Sequence, residues 1–111
     1  MEIKTERYKD WSIVTLNASF TVSTMFAVRT ELEQLEKTAP ANVALDFTAV
    51  KNIDSSAINL MLNYARRLAA KNGQFTIFNI NSEIKEIFYV VSFEDSVPIF
   101  NNRQDFEKSV A

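Results

Sequence analysis

The order of apolar patterns along this chain predicts an α/β fold, with helices packed on a mostly parallel central sheet that starts in an antiparallel hairpin. Three observations carry that prediction. Short runs rich in β-branched and aromatic residues alternate, from Met25 onward, with stretches whose apolar residues recur every three or four positions. The first two extended runs are separated only by Lys9-Asp10, room for a tight turn and nothing else. Val43-Ala44-Leu45-Asp46-Phe47 is nearly continuously apolar, as expected of a central parallel strand covered on both faces.

The elements follow in the order β-β-α-β-α-β-α-β-α. Ile3 to Tyr8 reads as a strand of mixed polarity, and Trp11 to Leu16 as its hairpin partner. Asn17 to Ser23 is polar apart from Phe20 and Val22 and reads as a loop. Ser23 or Thr24 caps a helix running to about Lys37, with Met25, Val28, Leu32 and Leu35 as its buried stripe. Pro40 prevents continuation. After the strand at 43–47, Asp54-Ser55-Ser56 opens a second helix, whose inner stripe is Ile58, Met61, Leu62, Ala65, Leu68 and Ala69. Asn72-Gly73 ends it, with Gly73 suited to a left-handed position past the helix. Phe75 to Ile80 is the next strand. Asn81 or Ser82 caps a third helix with Ile84, Ile87, Phe88 and Val91 inward. Val97-Pro98-Ile99-Phe100 is a short strand whose proline favours a sheet edge. Asn101 or Asn102 caps a last short helix through Phe106 and Val110.

Composition removes whole classes of function. The chain has 111 residues, enough for one domain (residues 1–111) with a real core, and 47% are hydrophobic. Twelve basic and fourteen acidic residues give a net charge of −2, which argues against a nucleic-acid surface. The nearest thing to a basic patch, Arg66-Arg67 with Lys71, reads as a solvated helix end. With no cysteine and no histidine, disulfides, thiolate catalysis, Cys/His zinc sites and a Ser-His-Asp triad are excluded. The start of the chain has no signal-peptide pattern and no apolar run is long enough for a membrane span, so a soluble cytoplasmic protein is expected. No long exposed strand stands out, which favours a monomer.

Candidate chemistry is sparse. Asp46 and Asp54 lie eight residues apart across a strand end. They read either as a carboxylate pair for Mg²⁺ or acid–base work, or as a loop acceptor and a helix cap. A single glycine cannot make a phosphate-cradling loop, so no nucleotide cofactor is implied by motif. Phe20 reads as a plug over the core or as an exposed contact. Tyr64 and Tyr89 are not assigned by pattern. Asp54-Ser55-Ser56 reads as a cap, or as a serine that accepts phosphate where helix N–H donors and the dipole tolerate a dianion.

The segment from Val43 to Ala57 resembles the signature of the STAS domain, the family of the bacterial anti-sigma factor antagonists. That signature is an apolar strand ending in Asp, a loop of about seven residues, and Asp-Ser-Ser-Gly at the start of the second helix. The Asn72-Gly73 break, the strands at 75–79 and 97–100 and the helix around Phe106 match the family's order, so the resemblance covers nearly the whole chain. It implies a single STAS-like domain; and because no nucleophile–base pair or metal cluster can be assembled from the residues, no enzyme, catalytic residue, metal or cofactor is expected. It also implies partner switching. The unmodified antagonist binds an anti-sigma factor that is also a serine protein kinase, which frees a sigma factor to direct transcription. Phosphorylation of the second serine, Ser56 here with Ser55 as the alternative, releases the antagonist, and a serine phosphatase resets it. Asp54, Ser55, Ser56, Ala57, Asn59, Phe20 and Thr21 would then form the partner-binding surface.

This chain departs from the pattern. Ala57 stands where glycine follows the serines in most relatives, and Asn59 at another small-residue position. Leu16 to Thr21 lacks the usual Gly and Asp. Those departures leave a second expectation: an unphosphorylated STAS interaction module in a signalling scaffold or a lipid-transport or transporter complex. A third is a small-ligand or nucleotide-binding domain that uses the helix N-terminus as an anion site.

Overall fold

A hairpin starts the sheet in the computed structural model, which describes residues 1–110. β1 (Ile3–Tyr8) pairs antiparallel with β2 (Trp11–Leu16), and Lys9 takes a left-handed φ of 55° in the turn. β3 (Asn42–Asp46), β4 (Gln74–Phe78) and β5 (Ile99–Phe100) then join in parallel, in spatial order β1-β2-β3-β4-β5. The connections carry α1 (Met25–Leu35), α2 (Ser55–Ala70) and α3 (Ser82–Val90), and α4 (Arg103–Ser109) follows β5.

Strand alternation sends side chains to two faces. Val14, Leu16, Val43, Leu45, Phe75 and Ile77 meet the inner faces of α1, α2 and α3 in the main core. Their neighbours Trp11, Ile13, Ala44 and Phe78 point the other way and close around Phe106 of α4. Phe106 lies edge-on to Trp11 at 5.0 Å and stacks on Phe78 at 5.3 Å. One buried aromatic therefore anchors a seven-residue helix that would not hold alone.

Several local expectations are corrected. Gly73 is not left-handed; Asn72 takes that conformation, with φ 61°. Glycine is required at 73 for space, because a Cβ there would run into the Ala41 carbonyl oxygen. The inner stripe of α2 is Ala57, Met61, Tyr64 and Leu68; Ala69 is exposed, and Ile58, Leu62 and Ala65 are half-buried. On α3 only Ile84 and Phe88 are buried, while Ile87 and Val91 face outward. The last strand is confined to Ile99–Phe100, because a 3-10 turn at Phe93–Asp95 uses the preceding chain to bury Phe93 and Val97. α1 ends at Leu35, and Thr24 does not cap it with its side chain: its hydroxyl donates to the Ser19 carbonyl at 2.6 Å and braces the loop instead.

Candidate functional site

β3 delivers the chain to the site through Asp46. Its Oδ1 accepts from the Thr48 N–H (2.9 Å), the Thr48 hydroxyl (2.6 Å) and Asn79 Nδ2 (3.1 Å), which turns the backbone out of the sheet. Buried Phe47 and Val50 pin the following loop to the core. At its far end Ile53 forms an isolated parallel bridge with Phe20, whose N–H donates to the Asn52 carbonyl at 3.0 Å. The Asn52 N–H in turn donates to Ser19 Oγ at 3.2 Å. The β2–α1 and β3–α2 loops are thus stitched together edge to edge.

Asp54 completes the seam. Oδ1 accepts from the Ala57 N–H at 3.0 Å and caps α2, while Oδ2 accepts from the Val22 N–H at 2.8 Å across the seam. Those donors, Val22 foremost and then Ala57, stabilise the carboxylate and hold its ionisation below the usual carboxylate range. Asp46 and Asp54 each accept within their own segment and from one neighbouring segment, Asp46 from Asn79 and Asp54 from Val22, so the pair is a loop acceptor and a cap.

Ser55 and Ser56 occupy the first turn of α2. Neither side chain hydrogen-bonds another described residue; Ser55 is exposed and Ser56 half-buried. Ser56 lines the mouth of a groove of about 750 Å³ between α1 and α2, together with Val22, Met25, Arg29 and Asn59. The two helices run side by side in the same direction. Asp54 joins their N-terminal ends, and Glu36 ties their C-terminal ends through Arg67 (3.1 Å) and Lys71 (3.7 Å). The Arg67 and Lys71 end is therefore a clamp as well as a solvated terminus. Midway, the Tyr64 hydroxyl donates to the Leu32 carbonyl at 2.8 Å. Burial first, and the Glu36 charge second, push that hydroxyl's ionisation far up.

The structure brings Asp54, Ser56 and Asn59 to one surface, with Ser55 beside them and Thr21 half-buried at the seam, its hydroxyl 3.0 Å from Ser23 Oγ. It removes two expected contact residues. Phe20 is fully buried, edge-on to Phe47 at 6.5 Å, because it plugs the core beneath the seam. Ala57 is fully buried because it begins the inner stripe of α2; it takes part through its N–H alone. Val22, 66% exposed, instead offers an apolar contact at the groove, and Phe26, 70% exposed, lines a separate hollow with Met1 and Ile3. Sequence reasoning missed both. The available signal was that Phe26 falls off the Met25-Val28-Leu32 stripe, so a core role was never required of it.

The fold and this surface define an α/β domain whose distinctive feature is a capped helix start with open hydroxyls, set beside exposed Val22. The sequence matches the STAS domain family over residues 2–106, and the chain belongs to that family. No curated protein matches the sequence. Among solved structures, the chain is similar to an anti-sigma factor antagonist from Mycobacterium paratuberculosis, with a TM-score of 0.87 and 15% identity over 98% of this chain and 92% of that one. It is also similar to the anti-sigma factor antagonist SpoIIAA in its unphosphorylated form, with a TM-score of 0.74 and 15% identity over 98% of this chain and 97% of that one. The murine Solute Carrier 26 family member A9 anion transporter shares the fold too, with a TM-score of 0.72 and 12% identity over 87% of this chain and 17% of that one. At these low identities the TM-scores establish a common fold and nothing more. Among the described residues no helix is long and apolar enough to cross a membrane.

Proposed function

We propose that this protein is an anti-sigma factor antagonist acting by binding rather than by catalysis. It binds an anti-sigma factor that is also a serine kinase, frees a sigma factor to direct transcription, and is switched off by phosphorylation of Ser56. The observation that carries this reading is the Ser56 hydroxyl: half-buried, without a hydrogen bond to another described residue, and presented at the first turn of α2 in the groove that exposed Val22 also lines. A partner packed on that surface must desolvate it. A phosphate there brings a charge near −2 and a firmly held hydration shell, which opposes the same packing. The helix N-terminus tolerates the dianion, so the modified domain stays folded while its partner leaves. A serine phosphatase then restores binding. The reading takes the domain as cytoplasmic and monomeric; Lys4, Glu6 and Arg7 on the edge strand β1 discourage strand-to-strand association.

Intact-mass analysis and peptide mapping of the protein from its native cells test this directly. One phosphate on Ser56 is expected, together with loss of kinase binding by Ser56→Asp and retention by Ser56→Ala. Equal binding of both variants to every candidate kinase would sink the switch. A second reading is favoured by the likeness to the anion transporter: an unmodified STAS module in a transport complex. Stable co-purification with such a complex, with no phosphate on any serine, would select it.

A further inference from the structure

We infer that Arg29 receives a phosphate on Ser56 within the same molecule, drawing the modified serine into the α1–α2 groove. The inference rests on the proposed modification of Ser56.

Arg29 and Ser56 line one groove from opposite helices. Arg29 lies one turn beyond Met25 on α1, and its Nη2 sits 3.1 Å from Met25 Sδ. The guanidinium is therefore drawn back along α1 toward the N-terminal mouth of the groove, where Ser56 stands. A thioether is a weak acceptor, and Arg29 makes no ion pair among the described residues. The groove's other arginine, Arg67, is committed to Glu36 and lies about three turns further along α2 from Ser56.

The remaining charges decide whether a phosphate prefers this cation. Asp54 caps the same helix start, but both its oxygens already accept backbone N–H groups. Glu36 faces Arg67 and Lys71. Glu33, one turn beyond Arg29 on the same helix, is the competitor, and Arg29 reaches away from it toward Met25. A phosphate offers three strong acceptor oxygens and a charge near −2, which a guanidinium matches in paired hydrogen bonds. It outbids both a lone sulfur and an exposed carboxylate. Modification of Ser56 would then fill the groove mouth as well as charge it.

The test is the full chain carrying phosphoserine at position 56, introduced during translation so that no kinase is needed. Phosphorus NMR then follows the second ionisation of the phosphate in wild type, Arg29→Gln and Arg29→Lys. A nearby cation favours the dianion. The ionisation is expected about half a pH unit lower, or more, in wild type than in Arg29→Gln, with Arg29→Lys between them. The helix N-terminus acts equally in all three, so the difference isolates the side chain at 29. The Arg29 Nε–H signal is also expected to move on phosphorylation. Arg29 is exposed, and Arg29→Gln should fold normally. Superimposed titration curves for wild type and Arg29→Gln, with an unmoved Arg29 signal, would overturn the inference and leave the switch itself standing. Absence of phosphate in native cells would defeat the switch without altering this titration.

Discussion

Two strand-to-helix junctions lie side by side on this sheet and are built from almost the same residue types. β3 leads to Asp54-Ser55-Ser56 and α2; β4 leads to Asn81-Ser82 and α3. Each cap accepts from the N–H three residues on, Ala57 at 3.0 Å and Ile84 at 2.8 Å. Each also ties its junction to the preceding one. Asp54 reaches the Val22 N–H of the β2–α1 loop, and Asn81 Nδ2 reaches the Val50 and Lys51 carbonyls of the β3–α2 loop, both at 3.3 Å. The differences lie in charge and surroundings. Asp54 is an anion holding two donors, and the serine two places on faces a groove with Arg29. Asn81 is neutral, and Ser82 is exposed beside Glu83. A hydroxyl after a cap is thus ordinary helix chemistry; its neighbourhood makes one junction a candidate site and leaves the other structural.

The largest expected effect comes from removing the plug beneath the seam. Phe20→Ala should cost about 3–5 kcal/mol in urea denaturation, as for other fully buried aromatics. A loss below about 1 kcal/mol would return Phe20 to the role of surface contact and break the seam as described.

The two caps come next. Asn81→Ala should lower stability by about 1 kcal/mol. Asp54→Ala should lose more, since it drops a cross-loop tie as well as a cap. Asp54→Asn sharpens the point through pH. The Asp54 ionisation is depressed in the folded state, so its charge-dependent contribution is present above the unfolded carboxylate range and disappears as pH falls through the lower folded value. The stability gap between wild type and Asp54→Asn should therefore close on acidification below about pH 4. A gap unchanged from pH 7 to pH 3 would show that the charge contributes nothing.

The smallest effect separates the serines. Ser56→Ala and Ser82→Ala should each change stability by no more than about 0.5 kcal/mol. Only the first should abolish phosphate incorporation, and both should leave partner binding intact. Equal phosphate incorporation by the two variants would erase the distinction between the junctions.

Legibility followed interaction range. The caps of α2, α3 and α4 were readable to within a residue, Asp54 outright and Asn81 and Asn102 each as one of two neighbours, because a cap bonds an N–H three residues away and needs no distant partner. Asp46 as a loop acceptor was readable for the same reason. The stripe of α1 was read well at Met25, Val28 and Leu32, whereas that of α2 was read partly one position off. There the rotation of the helix is set by Tyr64, whose ring packs against Phe75 at 5.2 Å and whose hydroxyl bonds α1. No local pattern announces a tyrosine that is buried because a carbonyl waits for it 32 residues away. Gly73 shows the same limit. Its need for glycine was evident, but the cause is the Ala41 carbonyl on a neighbouring strand start, not its own backbone conformation.

By itself, then, the sequence determined the α/β order, the hairpin, the caps of α2, α3 and α4 to within a residue and the position of the open serines, since hydrophobic period and short-range hydrogen bonds act within a few residues. Tertiary structure decided which apolar loop residues face outward, that Phe20 and Ala57 are buried, and that Arg29 stands across a groove from Ser56. Those relations depend on how two helices and two loops separated in the chain are brought together by the sheet beneath them, and packing of that kind is carried by no single segment.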